Sequence, residues 1–269
     1  MKVIAALDNS LAARPVVATA GALAELLHSN VEALHVGENG SAVARSAAAS
    51  AGLELHLRTG STVERLVDEG SQADVAAMVI GARGTIAHPV GTTALEIAEA
   101  LPKPLVVVPP EAQRPGVLHR ILVPLEGTIS TALAPMAVFE LSEESELDVV
   151  VLHVHDEESI PAFSDQPQHE TREWSREFLA RYCPWGVRDV QLETRVGRRD
   201  EEIVRATEEL GVDLIALGWT QELGPDRAPV VRAALERAHV PVLLVPVRPD
   251  SETAAAKEEA WRSWPLLPV

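Results

Sequence analysis

The sequence predicts an α/β fold made of two tandem Rossmann-like domains, each a five-stranded parallel sheet with helices on both faces. Three observations predict it. Aliphatic runs of strand length recur along the 269 residues with helical patterns between them, the alternation that builds parallel sheets with right-handed crossovers. The runs of the first part return in the same order in the second, which marks a duplicated unit. Aromatic residues make up only 3% of the chain, so the core is aliphatic, as buried parallel strands and their covering helices require.

The first run, Val3 to Leu7, ends in Asp8-Asn9-Ser10, and its counterpart, Ile121 to Leu125, ends in Glu126-Gly127-Thr128. Ala13 to Leu27 then places Val16, Val17, Ala20, Leu23, Ala24 and Leu27 on one helical face. The second run, Ala33-Leu34-His35-Val36, falls on Val151-Leu152-His153-Val154 at the same offset. A short helical stretch follows at Ser41 to Ala51. The second copy has an insertion inside Glu157 to Cys183, where Trp174, Arg176, Glu177 and Leu179 predict a longer helix. Leu57 to Gly60 then matches Thr194 to Gly197, and Glu201 to Leu210 repeats the helical spacing with Ile203, Val204, Thr207 and Leu210. Met78 to Gly81 matches Ile215 to Gly218, and Pro104 to Pro109 matches Pro241 to Pro246.

Between the copies, Pro109 to Gly116 is rich in proline and ends in glycine, which extends neither strand nor helix. The expected domains are therefore residues 1–113 and 117–248, with a tail at 249–269. Ser251 to Ser263 has a helical charge pattern, and Trp261 and Trp264 either dock the tail or belong to a frayed terminus.

A net charge of −17 repels phosphate backbones and anionic membranes, so no nucleic-acid or membrane partner is expected. Cys183 is the only cysteine and no apolar run is long enough to span a bilayer. With no signal-like N-terminus, a cytoplasmic location is expected. No nucleophile elbow or Walker A pattern is present. His35 and His153 end equivalent strands and read as packed, hydrogen-bonded residues, while His153 and His155 beside Asp156 and Glu157 make only a weak metal pattern.

Ligands of open parallel sheets bind beyond the carboxyl ends of the strands. In the first copy that end holds Asp8, Val36 and Gly81-Ala82-Arg83-Gly84, followed by Gly91-Thr92-Thr93 at the start of a helix running from Ala94 to Leu101. Glycines let the backbone approach an anion, and the helix N-terminus presents N–H groups and the positive end of its dipole to it. Thr92 and Thr93 add hydroxyl donors, and Arg83 either pairs with phosphate or is solvated. Asp8 either accepts from a ribose or adenine amino group, or caps the helix beginning near Leu11.

This order of acidic residue, Val, Gly-x-x-G and Gly-Thr resembles the nucleotide-binding pattern of universal stress proteins, and the likeness runs through nearly all of residues 1–248. The resemblance implies an adenosine against Ala6, Asp8, Val36 and Ile80, and phosphates against Gly81, Arg83, Gly84, Gly91, Thr92 and Thr93. The ligand it implies is ATP or AMP, with or without magnesium. Only Thr85 to Val90 separate Gly84 from Gly91, three residues fewer than the family pattern. In the second copy the glycine loop reads Gly218-Trp219-Thr220-Gln221, the helix start reads Ala228-Pro229, and Glu126 replaces Asp8. These changes predict a second copy without nucleotide, with Trp219 crowding its mouth.

The resemblance implies pairing of the two final strands into an intrachain pseudo-dimer, with a homodimer beyond it, and exposed edges rich in Val and Leu call for such covering independently. Three functions stay open: a stress-response protein sensing adenine nucleotide, an interaction scaffold binding no nucleotide, and at most a slow ATPase.

Overall fold

The computed structural model describes residues 1–37, 41–82, 90–112, 118–125, 147–155, 175–176, 178–180, 190–223 and 228–246. The first half runs β1 (Lys2–Ala6), α1 (Ala13–Leu26), β2 (Asn30–Val36), α2 (Ala42–Ser50), β3 (Leu55–Arg58), α3 (Thr62–Gly70), β4 (Val75–Gly81), α4 (Thr92–Ala100) and β5 (Leu105–Val108). The second half supplies β6 (Arg120–Pro124), β7 (Asp148–His155), β8 (Gln191–Val196), α5 (Arg199–Glu209), β9 (Leu214–Trp219), α6 (Pro229–Arg237) and β10 (Val242–Pro246). Residues 175–176 and 178–180 are helical, inside the insertion of the second copy. Trp174, Glu177 and Cys183, residues 113–116 of the Pro109–Gly116 linker and the tail at 249–269 lie outside the described residues.

All ten strands form one sheet in the order β3-β2-β1-β4-β5-β10-β9-β6-β7-β8. Each half contributes five parallel strands arranged alike from its outer edge inward, so the fold is mixed α/β of the Rossmann-like kind. The halves meet where β5 and β10 pair antiparallel, with Val107 opposite Val242 and Leu105 opposite Leu244. Every residue of β5 is buried. Pairing satisfies the backbone of an apolar strand that would otherwise present a sticky edge.

The strand period of two sorts the core into layers. In β1 and its exit, Val3, Ala5 and Leu7 pack with Ala13, Val16, Val17 and Ala20 of α1 and with Ala44 and Ala47 of α2. Ile4 and Ala6 face the other way, toward Ala94, Ile97 and Ala98 of α4. Both layers continue across the β5–β10 seam: Val106 and Leu243 lie in one, Val107 and Val242 in the other. Such small side chains let helices sit close to the sheet, which is why a core with few aromatics suffices here.

Equivalent polar contacts recur in both halves. Nδ1 of His35 donates to the Leu7 carbonyl at 2.7 Å, and Nδ1 of His153 to the Leu125 carbonyl at 2.9 Å. A carbonyl only accepts, so each imidazole carries its proton on Nδ1. Both histidines therefore pin the chain leaving the first strand of their half. At the ends of β3 and β8, Arg58 pairs with Glu69 and Arg195 with Glu209, tying each strand to its following helix.

The helix after β1 begins at Ala13, where the helical pattern of Ala13 to Leu27 begins, and Leu11, near which the capping alternative placed its start, is left exposed. That start follows from the turn chemistry. Oδ1 of Asp8 accepts from the Ser10 N–H and hydroxyl at 3.0 and 2.6 Å, and the Ser10 hydroxyl in turn accepts from the Ala12 N–H at 3.1 Å. This relay closes a turn ahead of the helix.

Candidate functional site

Strand order reverses between β1 and β4, because the chain leaves β1 toward β2 and β3 and returns to β1's other side as β4. The helices on either side diverge there, and the crevice at the carboxyl ends is the natural ligand position. Ala6 lies opposite Ile80 across the β1–β4 pair, and both are buried. Asp8, Val36 and Gly81 are half-buried at the same end of the sheet. The chain then enters α4 with Gly91 as N-cap in an extended conformation, followed by Thr92 and Thr93, both exposed. The first helical N–H groups have no partner within a helix. Arg83 and Gly84 lie outside the described residues.

Two of these residues also have structural work. Asp8 holds the turn before α1 through Ser10 without capping the helix, whose N-cap is Ala12. Gly81 sits in close packing: a Cβ there would lie 3.0 Å from Cβ of Ala12 in the turn that opens α1, tighter than ordinary van der Waals contact, so the glycine favours the approach of helix and sheet whether or not an anion binds.

In the second half, the equivalent crevice contains a cavity of about 300 Å³. Its walls come from the ends of β6 and β7 (Leu125, Val154), from α5 (Arg199, Ile203), from the end of β9 (Trp219) and from the first turn of α6 (Val231). Trp219, 4% exposed, forms a wall of the cavity. Its indole Nε1–H is buried without a hydrogen-bond partner among the described residues. The N-cap of α6, Ala228, has left-handed backbone angles (φ 49°, ψ 49°) and is followed by Pro229.

The loop leaving β9 reaches across to the first half. Gln221, itself left-handed at φ 61°, donates from Nε2 to the carbonyls of Ala98, Glu99 and Leu101 at 3.2, 3.3 and 2.7 Å. Oε1 of Glu99 accepts from the Leu223 N–H at 3.1 Å. The orphan carbonyls that end α4 are thus capped by the other half of the chain. Where the first copy has Gly84, the second has a side chain spent on this clasp.

The sequence offered only weak signals for two of these features. Arg199 was not singled out, although Arg198-Arg199 directly follows Gly197 at the end of β8. Nearby, the Arg198 guanidinium, with Arg237 of α6, holds the Asp200 carboxyl below the usual carboxylate range against the opposing effect of burial. Gln221 was visible only as a lost glycine. Among the described residues no cluster of acidic, histidine or cysteine side chains could hold a metal ion. His153 instead packs edge-on to His155 with ring centroids 4.5 Å apart and against Phe178 at 4.8 Å, while Asp156 and Glu157 lie outside the described residues. Among the described residues, no helix is long and apolar enough to cross a membrane.

Residues 118–246 match the model of the Universal stress protein family. No curated protein matches the chain. A functionally unknown protein from Pseudomonas aeruginosa PAO1 has a similar structure, with a TM-score of 0.68 at 14% identity over 97% of each chain. A universal stress protein from Archaeoglobus fulgidus DSM 4304 is similar with a TM-score of 0.66 at 13% identity, over 92% of this chain and 98% of its own. At such identities the likeness is one of fold.

Proposed function

We propose that the chain is a regulatory protein of the universal stress protein type that binds an adenine nucleotide, ATP or AMP, in its first half, residues 1–113. The observation that supports this reading is the shared packing of Ala6 and Ile80 with Val90 and Ala94 at the start of α4, at the strand-order reversal that Asp8 follows in the chain. The small side chain of Ala6 leaves room for a flat base, and Asp8 accepts from hydroxyl or amino donors. Gly91, Thr92 and Thr93 offer N–H and hydroxyl donors to phosphate, reinforced by the helix dipole. Arg83 and Gly84 complete this proposed site from the sequence pattern.

In this reading the second half, residues 117–248, serves as the structural partner, and its clasp on α4 is how the pseudo-dimer senses the state of that helix. The same clasp also favours a second reading, a pseudo-dimeric scaffold that binds no nucleotide, since the second copy has given its loop to holding the halves together.

The test is mass spectrometry of the denatured purified protein for bound nucleotide, followed by calorimetric titration with ATP and with adenosine. Replacing Thr92 and Thr93 together by Val should weaken ATP by about tenfold or more, as expected for lost hydrogen bonds to a charged group, and leave adenosine unchanged. No nucleotide released and no heat on titration would leave the scaffold.

A further inference from the structure

The two halves repeat one strand arrangement, so the cavity of the second outlines the crevice of the first. Val154, Leu217, Gly218 and Pro229 in its walls correspond to Val36, Ile80, Gly81 and Thr92. All four of these first-half residues belong to the proposed nucleotide site, as does Arg83, the counterpart of the wall residue Thr220. The cavity also has a wall at the start of α5, made by Arg199 and Ile203. Counted on from Gly60 and Gly197, their counterparts are Thr62 and Leu66 at the start of α3. Of the first-half counterparts that the nucleotide pattern left out, Thr62 alone is polar.

The first half shows the same placement directly. Helix α3 packs against β2, β4 and α4, and its Val63 and Leu66 join the apolar layer of Ala6, Val36, Ile80 and Ala94. Thr62, the first residue of the helix, is exposed ahead of that layer. Topology decides which end of a ligand it faces. The chain enters α3 from β3, on the β2 side of β1, and enters α4 from β4, on the other side. Thr62 therefore stands across the crevice from Gly91, Thr92 and Thr93, on the side where Val36 ends its strand.

We infer that Thr62 contacts the nucleoside portion of the ligand, its hydroxyl bonding to the sugar or base across the crevice from the phosphate-binding start of α4. The inference rests on the nucleotide reading of the first half and adds to it a polar contact on the nucleoside side. A hydroxyl both donates and accepts, so it matches a sugar hydroxyl or a polar edge of the base. At the equivalent wall the second half has Arg199, a much longer side chain, one more change that sets its crevice apart from the first.

Calorimetric titration of the full-length protein with ATP and with adenosine tests this. Thr62→Val keeps the shape and removes the hydroxyl, so it should weaken both ligands by the same factor, about two- to tenfold for one hydrogen bond. Replacing Thr92 and Thr93 by Val should weaken ATP alone, which separates the two sides of the crevice. Thr62→Arg, which imports the residue of the second half, should weaken adenosine further than Thr62→Val does, with thermal melting confirming that the variants fold. Adenosine affinity unchanged in Thr62→Val, or a loss there confined to ATP, would overturn the inference while leaving nucleotide binding in place. So would a Thr62→Arg variant that bound adenosine as tightly as the parent. A parent protein that bound neither ligand would overturn the nucleotide reading and this inference with it.

Discussion

Truncating Gln221 tests whether the two halves are joined by more than the β5–β10 pairing. Its Nε2 lies 2.7, 3.2 and 3.3 Å from three carbonyls, but an amide nitrogen carries two hydrogens, so about two bonds are made at once. At about 0.5–1.5 kcal/mol each, Gln221→Ala should cost about 1–3 kcal/mol. Backbone conformation supplies an internal control. Gln221 is left-handed, at φ 61°, which costs a residue with a Cβ about 1–2 kcal/mol that glycine does not pay. Glycine gives part of this back through the greater freedom of the unfolded chain, about 0.4–1 kcal/mol. Gln221→Gly should therefore be about 1 kcal/mol less destabilising than Gln221→Ala. Urea denaturation followed by far-UV circular dichroism, with the slope compared across variants, measures both. An alanine variant as stable as the parent would refute the clasp, and a glycine variant less stable than the alanine one would refute the conformational argument.

Thr19 sits on α1 fully buried, with its hydroxyl lacking a partner among the described residues. Thr19→Val keeps the shape and removes the stranded oxygen, so it should stabilise the protein by about 1 kcal/mol, read as a rise of a few degrees in melting temperature. Asp200 accepts from Arg198 and from Arg237 of α6, which hold its carboxyl below the usual range. A carboxyl lowered in the folded state stabilises above its unfolded pKa of about 4 and loses that contribution as pH falls through the lower folded value. Asp200→Asn should cost at most about 1 kcal/mol at pH 7, since these pairs are partly exposed, and the difference from the parent should vanish in acid. A gap that persisted at low pH would mean that charge is not its source.

Much of the fold was legible because its causes are local. Buried parallel strands must be aliphatic along their whole length, so Val3 to Leu7 and Ile121 to Leu125 announce themselves, as does the spacing of Val16, Ala20 and Leu23 on α1. His35 and His153 were readable as paired residues with structural duties, and each pins the exit of the first strand in its half. Asp8 was left between ligand contact and cap; its bonds go to Ser10 in the turn, and the N-cap of α1 is Ala12, without a side-chain cap bond. The hydrophobic period placed α1 from Ala13, as observed, whereas the Asp8–Ser10 turn that leaves Leu11 outside it is a matter of side-chain geometry.

By itself, then, the sequence determined the duplicated α/β unit, its strand order in the chain and its aliphatic core, since those depend on patterns within a few turns of helix or one strand. The tertiary structure alone decided where Gln221 points, what Trp219 and Arg199 enclose, and how closely Ala12 packs on Gly81. Each of these depends on residues far apart in the chain: Gln221 meets carbonyls more than a hundred residues earlier, and only because β5 and β10 lie side by side. A lost glycine in a sequence says that a backbone approach has gone; what the replacing side chain reaches is set by the packing of the other half.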